Sequence, residues 1–328
     1  MPRTRMGPMS NAVNSRSATA ESGHTRDLTW PEAPEPLPGP VIDNHAHLDF
    51  SDGEGSHGIE EHVAWAERAG VRGIITIGCD LSSARWTADV LRGEHIPPEH
   101  RAFVAERLRG GVSIHPNDAV NHVVTGKGRN GEKLCSLDEA IAEISDLLDT
   151  PGMVTIGETG LDWFRTSRKK PERRDAQIQS FRMHIALAKE KGLPMQIHDR
   201  DAHRDVLDVL DAEGTPERTV FHCFSGDAQF AREALDRGAY LSFSGTSTFK
   251  NAAYLREALA ITPLNRIMVE TDAPFLTPEP FRGRPNSSYL IPHTMRVIAE
   301  AKGLSLEEAC AGVLATEREV YGFAGAEG

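Results

Sequence analysis

The chain has 328 residues and a formal net charge of −12. That acidity argues against non-specific adhesion to nucleic acid, but not against a nucleic-acid substrate, because catalytic carboxylates and metal ligands add negative charge that bound cations offset. No run approaches the roughly 18 consecutive apolar residues of a membrane span, and Cys79, Cys135, Cys223 and Cys310 form no C-x-x-C, as expected of reduced thiols in a cytoplasmic protein.

Residues 1–40 are rich in Ser, Asn, Ala and Arg and then in proline (WPEAPEPLPGP), with no apolar segment of the secretory type. They are expected to be a disordered N-terminal extension. Beyond them come eight short apolar segments that end in polar residues: VIDNHAH (41–47), GIITIGCD (73–80), GVSIHP (111–116), MVTIGE (153–158), PMQIH (194–198), TVFHC (219–223), AYLSFSG (239–245) and RIMVETD (266–272). Near-continuous apolar runs suit strands buried on both faces. Helical patterns alternate with them at 60–69, 82–92, 99–108, 137–148, 171–191, 201–212, 227–237 and 250–260, and two more, 289–301 and 305–321, close the chain. Ser136 and Glu139 read as a capping box. Ile178, Phe181, Ile185 and Ala188 mark an apolar helical face that Gly192 terminates.

Eight strand–helix repeats predict an α/β fold, a (β/α)8 barrel of the TIM type over 41–322, with 323–328 a flexible C-terminus. The length would also allow two domains, but one barrel of about 250 residues with insertions fits equally well. An open doubly wound sheet would more readily show a Gly-rich turn after its first strand, and none is present.

The polar ends carry metal-ligand types: His45, His47, Glu158, His198, His222 and Asp272. A parallel barrel brings all its strand C-termini to one rim, so these become neighbours. His45 and His47, two apart on a strand, face the same side. Glu158 directly after a buried strand is costly unless paired or bound to a cation. His198 and His222 end successive strands. Asp272 ends the last strand, beside the first, where it can complete the His45–His47 set and act as general base for an attacking water. Six N and O donors are too many for one structural zinc. Two divalent cations (magnesium, zinc or manganese) bridged by Glu158 fit better, and such a centre serves phosphodiester, ester or amide hydrolysis alike. His115, at the end of the third strand, is expected to touch substrate. Arg200 is a candidate phosphate clamp, against a plain ion pair with Asp199 or Asp201. Residues 165–174, RTSRKKPERR, hold six basic side chains and one acidic, and Lys169 and Lys170 among them are expected to guide a polyanion.

These stretches resemble the TatD-type metal-dependent deoxyribonucleases of the amidohydrolase-like barrels. DNHAHLD, SIHP, GETGLDWF, QIHDRDA, FHCFSG, YLSFSGTSTFKN and VETDAPFLTP occur in family order across 41–322. The resemblance implies a cytoplasmic, divalent-metal-dependent hydrolase of nucleic acid (DNA, and RNA as a further substrate), often a 3′→5′ exonuclease. It also implies the same six ligands. The chain departs from the family pattern at RPNSS, at TEREVYG, in the loop 121–133 and in its N-terminal extension, all of which bear on rim shape and substrate preference. Other readings are a small-molecule amidohydrolase or lactonase, which a bridging carboxylated lysine rather than Glu158 would favour. An esterase on mischarged aminoacyl-tRNA and a non-catalytic metal-binding scaffold also remain. A monomer is favoured.

Overall fold

In a computed structural model of the chain, which describes residues 14–20, 23–128 and 131–323, each of the eight apolar segments contributes one parallel strand. They are β1 (Val41–Ala46), β2 (Val71–Gly78), β3 (Leu108–Val112), β4 (Met153–Asp162), β5 (Met195–Arg200), β6 (Thr219–Phe221), β7 (Tyr240–Phe243) and β8 (Ile267–Val269). Sheet order follows chain order. The edges meet where Ala46 bridges Ala273, the Asp272 N–H donates to the His45 carbonyl at 2.9 Å, and the His47 N–H donates to the Ala273 carbonyl at 2.7 Å. The sheet is thereby all but closed into the expected (β/α)8 barrel.

Around it run α1 (Ile59–Arg68), α2 (Leu81–Leu91), α3 (Arg101–Arg107), α4 (Pro116–Val120), α5 (Leu137–Leu147), α6 (Pro171–Lys191), α7 (His203–Glu213), α8 (Ala228–Leu235), α9 (Ala253–Ile261), α10 (Ile291–Lys302) and α11 (Leu306–Tyr321). Local chemistry sets their ends. Asp80, Ser136 and Ser305 cap α2, α5 and α11 in reciprocal boxes, and left-handed Gly192, Gly303 and Gly322 stop α6, α10 and α11. On α6, Phe181, Ile185 and Ala188 are buried as expected, and Ile178 packs partly buried beside them.

The third strand starts earlier than its sequence suggested, at Leu108 rather than Gly111. Its glycines hide it: a Cβ on Gly111 would stand 2.4 Å from Thr155 Cγ2, so the close approach of β3 to β4 excludes the side chains that mark a strand. The strand also ends at Val112, so His115 lies past it, capping α4.

One apolar cluster joins Ile42, Ile75, Ile77, Val220 and Met268 of the strands to Leu314, Val320, Tyr321 and Phe323 of the C-terminus. Strand residues alternating with these join the larger cluster beneath the helices. The end of α11 therefore plugs the barrel away from the strand ends that carry the polar residues. Buried Glu317 accepts the Ile42 N–H at 3.0 Å and the Val269 N–H at 3.2 Å, tying β1 to β8. Phe323 is 1% exposed, which corrects the expected start of a flexible tail, and 324–328 lie outside the described residues.

The expectation of disorder over 1–40 fails for 14–20 and 23–40, while 1–13 and 21–22 lie outside the described residues. Asn14–Ser15 pair with Phe50–Ser51. Buried Arg26 forms a fork on the Asp52 carboxylate at 2.8 and 2.7 Å and also donates to the Gly283 carbonyl at 3.0 Å. Trp30 meets Trp65, His57 and His62 edge-on and lies over Gly53, where a Cβ would come within 2.6 Å of the indole. Leu37 enters the core. A few large anchors and side chain-to-backbone bonds hold this segment, so it carries no hydrophobic period to read.

Candidate metal centre

The six expected ligands converge on the rim. Glu158, from β4, stands between two sets. Its Oε1 lies 3.6 Å from His47 Nε2 and 4.0 Å from His45 Nε2. Its Oε2 lies 2.7 Å from His198 Nδ1 and 2.8 Å from His222 Nε2. Asp272 Oδ1 joins the first set, 3.2 Å from His47 Nε2 and 3.8 Å from His45 Nε2. The two imidazoles of the H-x-H motif converge, with their Nε2 atoms 3.3 Å apart. Ligand atoms in three overlapping trios lie within 4.8 Å of one another: His45–His47–Glu158, His45–His222–Asp272 and His115–Glu158–His198. The donors are nitrogens and carboxylate oxygens, which suits divalent zinc, manganese or iron.

What lies behind the ligands fixes their tautomers. His45 Nδ1 donates to Gln196 Oε1 at 2.6 Å. The amide faces this way because its nitrogen donates to the Asn44 carbonyl at 2.8 Å and to the Tyr321 hydroxyl at 2.7 Å. The C-terminal plug thus reaches His45 through one side chain. His47 Nδ1 donates to the Ile77 carbonyl at 3.0 Å, and His222 Nδ1 faces Glu270 Oε1 at 3.1 Å. His198 is reversed, with Nε2 held 3.3 Å from Asp162 Oδ2. Asp162 in turn accepts from Asn117 Nδ2 at 2.9 Å and from the Arg165 N–H at 2.7 Å. Buried Asp43 takes both the N–H and the hydroxyl of Thr271, at 2.9 and 2.5 Å, which sets the backbone just before Asp272.

Burial opposes protonation of His47, yet Asp272 and Glu158 raise its pKa to about 10. Against the same burial, Glu158 and Asp162 raise His198 to about 9. Burial would raise Glu158, but His222 and His198 hold it well below the usual carboxylate range. Burial, with His222 and His47 nearby, keeps His45 well below 6.5. A cation held by these imidazoles needs them deprotonated, so its binding would weaken at low pH.

Asp162, Gln196, Glu270, Asp43 and Asn117 were missed as functional residues. The available signal was a charged or amide side chain inside an apolar strand, as in VIDN, MQIH and MVETD, which must find a buried partner.

His115 lies beside Glu158 and His198. Burial lowers its pKa to about 4, and Nδ1 accepts the Asn117 N–H at 3.1 Å, which puts the proton on Nε2, an atom 4.0 Å from Glu158 Oε2. Arg200 makes no ion pair with Asp199 or Asp201 among the described residues: Asp199 binds His203 at 2.8 Å, and the Arg200 guanidinium lies over the Phe164 ring, 4.2 Å from its centroid. A cavity of about 540 Å³ opens onto the centre, its wall including His47, His115 and Glu158. Of the basic segment, Arg165 and Arg173 line that cavity, while Lys169 and Lys170 stand exposed outside it. Arg168 and Arg174 pair with Asp205 at 3.0 Å and Asp175 at 2.8 Å.

The model of the TatD related DNase family matches residues 42–322. The chain is 38% identical over 287 residues to the metal-dependent hydrolase TatD of Mycobacterium tuberculosis, which covers 86% of this chain and 98% of the relative. It is 35% identical over 269 residues to the metal-dependent hydrolase YabD of Bacillus subtilis, with 82% and 93% covered. The crystal structure of the TatD homologue YJJV from Escherichia coli superposes with a TM-score of 0.71 at 24% identity, covering 86% of this chain and 98% of that one, a likeness of fold.

Proposed function

Because the chain belongs to the TatD related DNase family of metal-dependent hydrolases, we propose that it cleaves phosphodiester bonds of nucleic acid, as a cytoplasmic 3′→5′ exonuclease acting on DNA. The observation that carries this reading is the position of Glu158, one oxygen toward each ligand set. His45, His47 and Asp272 would hold one divalent cation, His198 and His222 the other, with Glu158 common to both. Bound cations would supply Lewis acidity and a nucleophile at neutral pH.

The protein's own groups do the rest. Asp272 takes the proton of the attacking water. His115 offers its Nε2 proton to a phosphate oxygen. Arg165 and Arg173 draw the polyanion into the cavity. Gln196, Glu270 and Asp162 keep the imidazoles turned the right way. Among the described residues, no helix is long and apolar enough to cross a membrane.

The test is digestion of a 5′-labelled DNA oligonucleotide by protein stripped with chelator and then resupplied with zinc, manganese or magnesium. A lactone and an aminoacyl-tRNA serve as parallel substrates. A ladder shortening from the 3′ end only after metal is restored is expected. Undiminished cleavage by metal-free protein, or turnover confined to the lactone or the ester, would sink the reading.

Position separates the basic side chains. Arg173→Glu is expected to raise KM for DNA several-fold and to flatten its salt dependence by about one charge's counterion release. Lys169→Glu with Lys170→Glu should do so more weakly. Hydrolysis of a small phosphodiester should barely change in either. An equal loss on both substrates would make the segment structural.

A further inference from the structure

Single exposed apolar side chains are ordinary on a protein surface, so position and support decide whether one matters. Phe164 is 54% exposed, more than any other large apolar residue among those described. It stands on the catalytic rim, two residues past the end of β4. Its neighbour Arg165 lines the cavity together with His47 and Glu158.

The turn that presents it is pinned on both sides. The Trp163 N–H donates to the Arg200 carbonyl at 2.9 Å, and the Trp163 indole donates to Asp205 Oδ2 at 2.7 Å. The Arg165 N–H donates to Asp162 Oδ1 at 2.7 Å, and the other oxygen of that same carboxylate lies 3.3 Å from His198 Nε2. A ligand histidine and the aromatic turn therefore share one anchor. The Arg200 guanidinium lies 4.2 Å from the Phe164 ring centroid, inside the cation–π range of about 6 Å. An exposed ring backed by a guanidinium, beside a cavity for a phosphodiester, matches the pairing of aromatic face and cation that binds unpaired nucleotides.

We propose that Phe164, backed by Arg200, is a nucleobase-stacking platform at the lip of the cavity, an inference that rests on the nuclease reading above. The base flanking the scissile phosphate leaves its neighbours and lies on the ring. Arg200 holds the ring in place and adds positive charge near the strand. Every base has a π face, so the platform is indifferent to sequence but demands an unpaired base. A duplex end must fray before it is accepted.

The test compares metal-loaded wild type, Phe164→Leu and Phe164→Trp on two DNA oligonucleotides. One carries all its bases. The other lacks the bases of its last two 3′ nucleotides. Phe164→Leu keeps an apolar side chain but removes the π face. It is expected to raise KM on the order of tenfold for the complete oligonucleotide, the size of one stacking contact, with kcat and metal content near wild type. It should leave KM for the base-less oligonucleotide unchanged. Phe164→Trp should restore tight binding of the complete strand. A Phe164→Leu enzyme with wild-type KM, or one equally impaired on both oligonucleotides, overturns the platform while leaving the nuclease reading intact. Wild-type protein inert toward every oligonucleotide overturns the nuclease reading and the platform with it.

Discussion

Glu158→Ala is expected to lose more than one equivalent of bound metal and to lower kcat/KM on the order of 10³-fold or more. Each ~1.4 kcal/mol is tenfold in rate, and Lewis-acid stabilisation is worth several kcal/mol. The reason is geometric. Oε1 faces His47 and His45 at 3.6 and 4.0 Å, and Oε2 faces His198 and His222 at 2.7 and 2.8 Å. Removing the carboxylate takes an oxygen donor from both sets and leaves several buried imidazoles without the negative charge that balances them. Elemental analysis of the purified variant after exhaustive dialysis gives the count. Loss of a single equivalent would mean that the carboxylate serves one cation only, and the common-ligand assignment would have to be abandoned.

Asp272→Asn should separate metal binding from turnover. The amide oxygen can still face His47 Nε2, now 3.2 Å from Asp272 Oδ1. The Asp272 backbone keeps its bond to the His45 carbonyl at 2.9 Å. Most of the metal should therefore remain, and KM for DNA should stay within a few-fold of wild type. An amide cannot take a proton from water, so kcat should fall by about 10²- to 10⁴-fold, the usual worth of a positioned general base. Steady-state kinetics beside metal analysis decides the matter. Near-normal turnover would remove Asp272 from the base role, and a parallel collapse of metal content would make it a ligand alone.

The barrel was legible because strands buried on both faces read as unbroken apolar runs, and because each run here stops at a residue that cannot be buried alone. Where that logic lapses, the reading lapsed too. The middle of β3 is Gly110 and Gly111, since β4 lies too close for side chains there. The short α4 and the π-helical turn Asn121–Thr125 that follows it span too few residues for a hydrophobic period. The cluster of candidate ligands could be picked out for the same reason as the strands, because its members are the polar stops. The groups behind them were not, since Gln196, Glu270 and Asp43 lie within or just beyond the strands and declare no partner in sequence. Arg200 illustrates the remaining gap. Its sequence neighbours Asp199 and Asp201 offered an obvious ion pair, whereas its actual partner is the ring of Phe164, 36 positions away.

The segment before β1 changes where this molecule should be said to begin. The family match opens at residue 42, yet Arg26 reaches into the loop after β1 through Asp52 and into the loop after β8 through Gly283. Those two loops lie just beyond His45 and His47 on one side and Asp272 on the other, and they flank the seam where the Ala46–Ala273 bridge joins the sheet edges. A chain trimmed to residue 41 would strand the Asp52 carboxylate, whose side chain is 2% exposed, without its guanidinium and uncover the seat of Trp30. Homology draws one boundary on this polypeptide at residue 42 and packing draws another at least 16 residues upstream, at Arg26, so the stretch of shared ancestry and the stretch held together by contacts are not the same.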